Sequence, residues 1–485
     1  MNECAHKQAE AVYHVSDSRF PLLRRPLSTA KGGRDMYNNK LGFLDETLAT
    51  VRDNAMKDTV GDIRKTGRLI LKGGHVIDPK NQTDEERDIL IVNGEIAETG
   101  TDIHAESGDR IIDCEGLLVC PGLIDMHLHL GDLFEVTTNP IFCAAEDGVT
   151  MGLSPGAGNT FMAPSLLGAE VDHGVPINLG VYLGAANVLG TCLSVEELIA
   201  MFQGRLPVEV MAEKMSRNAI TLTTAALTVG IKDHMGHFIM SDENIDKIYE
   251  ITSKAKLIYM SHTQDPEHAE RIVGLSKGRP IHLAHATAAG CGSHMGAVEG
   301  MQRVLDLING ENVTGEFVTT MLREGRGSRE GLQMPAESQK LAYDALAEGK
   351  VKILISDGQN QATMKGFGDT RDNIPAILEL AQAGVLALSD SVATMTANPA
   401  ALIAKRTDNP WWTEKTGHLG VGALANVTVI DRADKLATYT IVNGEIVSFE
   451  NRAVRRNVGS GGWVSRFGMV RRTGVGDLAM FSYQK

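Results

Sequence analysis

Several marks of membrane, secreted and disulfide-stabilised proteins are missing from this 485-residue sequence. No apolar run reaches the roughly 18 residues that a membrane-spanning helix requires, which disfavours an integral membrane protein. The first 20 residues hold no apolar core of a secretory signal. The six cysteines are scattered without a Cys-x-x-Cys pair, so we expect reduced thiols in a cytoplasmic protein and neither a disulfide scaffold nor a thiolate zinc site.

Positive charge is also in deficit, because 47 lysines and arginines face 61 acidic residues and the formal net charge is −14. Such a surface repels the phosphate backbone, so we expect no nucleic-acid partner and a small-molecule one instead. The hydrophobic share of 43% and the charged share of 22% are those of a soluble globular protein. The length predicts one large domain with smaller attached parts.

Blocks rich in predicted strands lie near both ends of the chain. Residues 68–78 predict a strand, a glycine turn and a second strand, and 88–97 carries Asn-Gly between two apolar runs, which indicates a hairpin. The stretches 426–431 and 437–447 show the same pattern of strand-like apolar runs, and Val-Asn-Gly-Glu-Ile occurs in both blocks. We therefore predict that the two blocks form one small composite β-sandwich.

Between these blocks, eight short runs rich in β-branched residues alternate with stretches of helical periodicity such as 242–255 and 336–348. Eight strand–helix units predict a (β/α)8 barrel of the TIM type, in which the chemistry sits at the C-terminal ends of the strands. The predicted strands are 123–130, 149–155, 177–183, 227–232, 257–262, 281–286, 313–320 and 351–357.

These patterns divide the chain into four predicted parts. Residues 1–66 form an N-terminal extension to which the sequence assigns no role, 67–120 plus 406–450 form the sandwich, and 121–405 form the barrel. The tail, 451–485, is basic, with six arginines and one lysine against one aspartate, and it contains interleaved aromatic residues. RNA contact is one interpretation of such a tail. Packing against the acidic body or a neighbouring subunit is the favoured one.

A histidine pair closes the first predicted barrel strand. His127 and His129 are two residues apart in Pro-Gly-Leu-Ile-Asp-Met-His-Leu-His, so both side chains project from one face of the strand and can hold one metal ion. Ionisable groups at the same end of several different strands are not explained by packing, so we predict a metal site. The further candidate ligands at strand ends are Lys232, His262, His285 and Asp357.

From about residue 68 to residue 448 the sequence resembles the amidohydrolase superfamily. The resemblance rests on the Gly-Gly-x-Val-Ile-Asp opening, the His-x-His motif, the later His, His and Asp, and Thr-Ala-Asn-Pro-Ala at 396–400. It implies a metal-dependent hydrolase barrel flanked by a β-sandwich.

The resemblance also implies how two divalent ions are bound. His127 and His129 would bind the more buried ion, and His262 and His285 would bind the second. We expect Zn²⁺, because imidazole and carboxylate ligands suit it.

The remaining two candidates have their own implied roles. Lys232 would carry a CO₂-derived carbamate that bridges both ions, because burial lowers the pKa of a lysine and leaves a neutral amine that can add CO₂. Asp357 would ligate the first ion and act as the catalytic residue that accepts the proton of a metal-activated hydroxide and passes it to the leaving nitrogen.

Residues beside the ligands favour one branch of the superfamily. Dihydroorotases carry the motif His-x-His-x-Arg, but this chain has Gly131 at the arginine position. Mononuclear deaminases place a glutamate after the strand-five histidine, where this chain has Thr263-Gln264-Asp265. In these motifs the sequence most resembles the branch of hydantoinases, dihydropyrimidinases and other cyclic-amide hydrolases. The tyrosine that hydantoinases carry after the bridging lysine is missing from 233–237.

Five further residues are candidates for substrate binding. His234 and His237 follow the fourth predicted strand, and Arg323, Arg326 and Arg329 follow the seventh. A guanidinium fork would suit a substrate carboxylate or an imide oxygen. The alternative is that the arginines pair with glutamates on a solvated loop.

The sequence therefore predicts an enzyme that hydrolyses a C–N bond in a small cyclic amide, imide or lactam, as a homodimer or homotetramer. Two alternatives stay open at this point. One is a linear amide hydrolase, either an N-acyl-amino-acid deacylase or an isoaspartyl-type dipeptidase. The other is an inactive dihydropyrimidinase-like scaffold, against which the complete ligand set weighs.

Overall fold

A computed structural model of the protein describes residues 67–130, 141–155, 159–234, 240–326, 333–358, 367–454 and 460–472. The extension predicted for 1–66 lies outside these ranges. Among the described helices, none combines the length and the apolar character that crossing a membrane requires.

The described elements alternate between strands and helices through the middle of the chain. The strands are β1 Arg68–Asp78, β2 Thr83–Val92, β3 Glu95–Gly100, β4 Arg110–Asp113, β5 Leu118–Pro121, β6 Leu123–Asp125, β7 Val149–Ser154, β8 Asn178–Gly184, β9 Gly230–Asp233, β10 Ile258–His262, β11 Ile281–Ala284, β12 Val313–Val318, β13 Ile353–Ile355, β14 Val427–Asp431, β15 Leu436–Val442, β16 Glu445–Phe449, β17 Arg452–Ala453, β18 Gly462–Ser465 and β19 Gly468–Arg472. The α-helices are α1 Ile141–Glu146, α2 Ala163–His173, α3 Ala185–Leu189, α4 Val195–Phe202, α5 Val208–Lys214, α6 Ala219–Thr224, α7 Asp242–Ala255, α8 Pro266–Gly274, α9 Ala297–Leu307, α10 Thr319–Leu322, α11 Ala336–Ala347, α12 Asn373–Gln382, α13 Leu388–Ala393, α14 Ala397–Thr407 and α15 Trp411–Lys415. Two 3-10 helices cover Ala286–Cys291 and Thr370–Asp372.

The predicted composite sandwich is confirmed. Strands from both ends of the chain form one nine-stranded sheet, which joins where β14 pairs antiparallel with β5, with Val427 opposite Pro121 and Val429 opposite Val119. Apolar side chains from both halves, among them Leu69 and Ile441, bury one shared core.

The two Asn-Gly hairpins are also confirmed, and they touch each other. Asn93-Gly94 connects β2 to β3 and Asn443-Gly444 connects β15 to β16, each with φ positive at both residues, as a type I′ turn requires. A Cβ added to Gly444 would stand 2.7 Å from the Cα of Gly94, so the close approach of the two turns depends on glycine.

The glycine turn predicted within 68–78 is wrong. These residues form the single strand β1, and Gly73 with φ +67° lies in an irregularity of its pairing with β2 between Leu71 and Gly74. An apolar run interrupted by glycine is compatible with either a turn or a bulge, and the neighbouring strand decides which one forms.

The predicted (β/α)8 barrel is confirmed, with one parallel strand in each of the eight predicted runs. Strands β6 to β13 pair side by side in chain order, and most of their side chains are buried on both faces. The barrel closes where a bridge pairs Leu128, after β6, with Gly358, after β13. The C-terminal ends of all eight strands therefore meet at one end of the barrel.

The helix α7 shows why the intervening segments are helical. Ser241 caps its N-terminus by accepting a hydrogen bond from the backbone of Asn244, and Asp242 and Glu243 stand in its positively polarised first turn. Its apolar face is buried, and Lys256 ends it in the left-handed region at φ +57°.

The described part of the tail packs against the barrel as a β18–β19 hairpin. β18 pairs with the first half of β8, where Trp463 lies opposite Leu179, and β9 pairs with the second half of β8 from Tyr182 onward. The buried guanidinium of Arg466 donates hydrogen bonds to the carbonyl oxygen of Phe202, at 2.5 Å, and to that of Ala255. These are the last residues of α4 and α7, so one cation from the tail satisfies the C-termini of two helices.

We expect Arg466→Ala to lower the free energy of unfolding by about 3 kcal/mol, because hydrogen bonds from a charged donor contribute roughly 1.5–3 kcal/mol each and two buried carbonyl groups lose theirs. Urea unfolding followed by circular dichroism measures the change. Arg452→Ala, at an exposed position on β17, is the control and should shift stability by less than about 0.5 kcal/mol. Equal stability of the two variants would contradict a structural role for Arg466.

Candidate metal centre

All six predicted ligands lie at the C-terminal end of the barrel. The chain places each one at the end of its strand or directly after it, where parallel strands of one barrel open into its active-site face. His127 and His129 follow β6, Lys232 is in β9, His262 ends β10, His285 follows β11, and Asp357 follows β13.

Three of these residues form a compact group of ligand atoms. His127, His129 and Asp357 each offer one atom, and the three atoms lie within 4.8 Å of one another. The Nε2 atoms of His127 and His129 are 3.0 and 3.1 Å from Oδ1 of Asp357. All three residues are buried, so their donor atoms face one another without bulk water.

Lys232 completes the group from the neighbouring side. Its Nζ is 2.8 Å from Nε2 of His127, and its side chain is 1% exposed. An ammonium group in such a place carries a large desolvation cost, which favours the neutral amine that can react with CO₂.

A second pair of imidazoles lies beside the first. The rings of His262 and His285 are 4.5 Å apart between centroids, and that of His285 is 5.2 Å from His127. Burial lowers the pKa of His262 to about 3 and the pKa of His285 well below its usual value. Neutral imidazole is the form that binds metal.

These two imidazoles also pass a direct test of whether a metal fits. Nδ1 of His262 and Nδ1 of His285 are buried without a hydrogen-bond partner among the described residues. Buried polar atoms are ordinarily satisfied, so two unpartnered imidazole nitrogens next to a His-His-Asp group suit a cation that the protein itself does not supply.

Backbone conformation at two of the predicted ligands is unusual. His285 has φ +37° and Asp357 has φ +47°, in the left-handed region that costs a residue with a Cβ about 1–3 kcal/mol. The surrounding hydrogen bonds hold both residues there: the N–H of His285 donates to Oε1 of Glu316 at 3.2 Å, and the N–H of Phe367 donates to Oδ2 of Asp357 at 3.3 Å. Strain at two predicted ligands indicates a functional site.

Asp357 is held in its ionised form. Burial alone would raise the pKa of Asp357, but the contacts of this carboxylate with the imidazoles of His127 and His129 outweigh that effect and place the pKa well below its usual value. The carboxylate is therefore charged and available to bind a cation.

Two buried carboxylates beside the candidate ligands were not singled out from the sequence. Glu316 of β12 lies 2.5 Å from Nδ1 of His127, and its pKa is about 2, because its contacts with His127 and His282 outweigh the effect of burial. Asp125 accepts the N–H of His127 at 3.2 Å and that of Ser356, and burial raises its pKa to about 6. The sequence signal that could have identified them is that Asp125 and Glu316 are each the only acidic residue in an otherwise apolar strand.

The candidate substrate-binding residues fall into different surroundings. The ring of His234 is 5.1 Å from that of His262, so the structure brings it beside the candidate metal centre. Arg323 is paired with Asp372 and Glu379, and Arg326 is paired with Asp372. A substrate would compete with these carboxylates, and a role of both arginines in recognition stays a prediction. His237 and Arg329 lie outside the described residues.

Comparisons with known proteins agree with this geometry. No protein-family profile matches the chain. It is 23% identical over 437 residues to a dihydroorotase of Geobacter sp. strain M21, covering 78% of this chain and 99% of that protein, and 24% identical over 403 residues to one of Aquifex aeolicus, covering 75% and 89%. A solved D-hydantoinase superposes with a TM-score of 0.62 at 18% identity, covering 83% of this chain and 100% of the other. An L-hydantoinase from Arthrobacter aurescens superposes with a TM-score of 0.58 at 17% identity, covering 82% and 99%.

One assignment follows from the match to dihydroorotases over more than three quarters of this chain, the barrel with its composite sandwich, and the group of candidate ligands at the strand ends. The chain belongs to the amidohydrolase superfamily.

Proposed function

We propose that the protein is a metal-dependent hydrolase that opens the ring of a small cyclic amide, imide or lactam, as hydantoinases and related enzymes do. The observation that carries the proposal is the convergence of four imidazoles, Lys232 and Asp357 at the C-terminal end of one barrel. The names of the relatives, dihydroorotase and hydantoinase, support the cyclic-amide class.

Two divalent ions, which we propose to be Zn²⁺, complete this centre. When bound, such ions lower the pKa of a water molecule and polarise the amide carbonyl group. His127, His129 and Asp357 would hold one ion, and His262 and His285 the other. Lys232, as a carbamate, would supply the negatively charged oxygen atoms between them.

The side chains themselves perform the remaining steps. Asp357 lies with Oδ1 against both histidines of the first pair and Oδ2 on a backbone N–H, so the carboxylate is fixed in orientation. It accepts the proton of the attacking water and delivers it to the leaving nitrogen. His234 lies at the edge of the centre, where it can donate a hydrogen bond to the substrate.

The substrate within this class differs from that of a typical dihydroorotase, because Gly131 offers no guanidinium group for a substrate carboxylate. The protein acts on a small molecule, and we propose that it works in the cytoplasm as a homo-oligomer. The five cysteines of the described residues form no disulfide, which fits that compartment.

A product assay tests the proposed reaction. Zinc-loaded protein is incubated with five- and six-membered cyclic amides and imides, and separately with N-acyl amino acids. We expect turnover of a cyclic substrate to a single product that is heavier than the substrate by one water. Asp357→Asn should lower kcat by at least about 10²–10⁴, because the amide cannot accept a proton. Asp390→Asn, at an exposed position on α13, is the control. Turnover of N-acyl amino acids alone would favour the linear-amide alternative.

Metal content is a separate test. Elemental analysis of metal-replete protein should find two divalent ions per chain, and a chelator should remove activity that added Zn²⁺ restores, since the ligand set spans five strand ends. Fewer than one ion per chain would point to an inactive scaffold.

The bridging role of Lys232 has its own test. Lys232→Ala should lose most activity and metal, and short carboxylic acids in bicarbonate-free buffer should restore part of both, because the bridge supplies anionic oxygen and not an ammonium group. Lys254→Ala, on the exposed face of α7, is the matched control. A Lys232→Ala enzyme with near-native metal content and turnover would show that the lysine does not bridge.

A further inference from the structure

A chain of buried hydrogen bonds descends from the metal centre through the barrel interior. Nδ1 of His127 is 2.5 Å from Oε1 of Glu316, and Oε2 of the same carboxylate is 3.0 Å from Nε2 of His282. Nδ1 of His282 is 2.9 Å from Oγ1 of Thr314, which accepts a hydrogen bond from Arg406 at 3.4 Å. The side chains of His127, Glu316 and His282 have no solvent exposure.

The direction of each hydrogen bond follows from the chemistry of the groups. An ionised carboxylate only accepts, so His127 Nδ1, His282 Nε2 and the backbone N–H of His285, at 3.2 Å, all donate to Glu316. The Thr314 hydroxyl then donates to Nδ1 of His282, and Arg406 donates to the Thr314 oxygen. All the donors in this chain are consistently oriented toward Glu316.

This arrangement determines which nitrogen of His127 faces the metal. With Nδ1 committed to Glu316, Nε2 points at the candidate centre, 2.8 Å from Nζ of Lys232 and 3.0 Å from Oδ1 of Asp357. The carboxylate thus fixes both the tautomer and the ring orientation of a ligand.

We propose that Glu316 is a positioning residue of the metal centre: it holds His127 with its proton on Nδ1, presents Nε2 to the metal, and is itself held by His282 and Thr314. The inference rests on the metal centre of the proposed function. It assigns the β12 carboxylate and the β11 histidine a role in metal affinity, although neither of them is a ligand.

Glu316→Gln is a selective test, because glutamine keeps the shape but presents one acceptor and one donor to three donors. The amide nitrogen would face Nε2 of His282 and force that ring to change its tautomer. The affinity for Zn²⁺, measured by competition with a chromophoric chelator, should fall 10–100-fold, as for other residues that orient metal ligands. Glu311→Gln, at an exposed position just before β12, should bind within twofold of the unaltered protein.

A Glu316→Gln affinity within twofold of a metal-binding unaltered protein would overturn the inference and leave the proposed function intact. An unaltered protein that binds no Zn²⁺ would instead remove the proposed function.

A second measurement needs no Glu316 variant and no turnover. Histidine ¹⁵N spectra of the unaltered protein, with His127→Asn used to assign the signal, should show the proton on Nδ1 of His127 in both the metal-free and the Zn²⁺-loaded protein. An unprotonated Nδ1 in either state contradicts the positioning role, even if Glu316→Gln fails to fold.

Discussion

Burial of ionisable groups inside a barrel is the constraint on which this structure depends. A charge withdrawn from water must be compensated by neighbouring charges or hydrogen bonds, and here the compensation is mutual. Asp357 stays ionised because His127 and His129 surround it, and Glu316 stays ionised because His127 and His282 do. The centre is therefore one electrostatic unit, and loss of one member changes the protonation and the orientation of the others.

The rest of the fold keeps this unit dry and fixed. The parallel strands bring the candidate ligands from distant points of the chain to one end of the barrel. The bridge between Leu128 and Gly358 joins the first and last strands directly beside His127, His129 and Asp357. The β18–β19 hairpin adds to the barrel wall along β8, and Arg466 anchors it to two helix ends. These contacts fix the hairpin against the barrel strand β8 and the helices α4 and α7.

The barrel strands and the six ligand candidates could be predicted from the sequence because each rests on a local signal. A short β-branched run that ends in His, Lys or Asp carries both its secondary structure and its place in the fold. The long-range partners could not be predicted in this way. In the sequence Glu316 is a single acidic residue in an apolar strand, and only the fold shows that it contacts His127. In the same way, Arg323 pairs with Asp372, which is remote from it in the sequence.

The composite sandwich has a consequence for protein synthesis. Strand β5 is completed roughly 300 residues before its partner β14 emerges, because the whole barrel lies between them. At a translation rate of 5–20 residues per second, this edge of the sheet stays unpaired for on the order of 15–60 s on the ribosome. Its apolar side chains include Leu118 and Val119, which are buried in the complete sheet and whose partners in β14 are not yet made during that interval. The sheet edge at β5 is therefore completed only after β14 has been made.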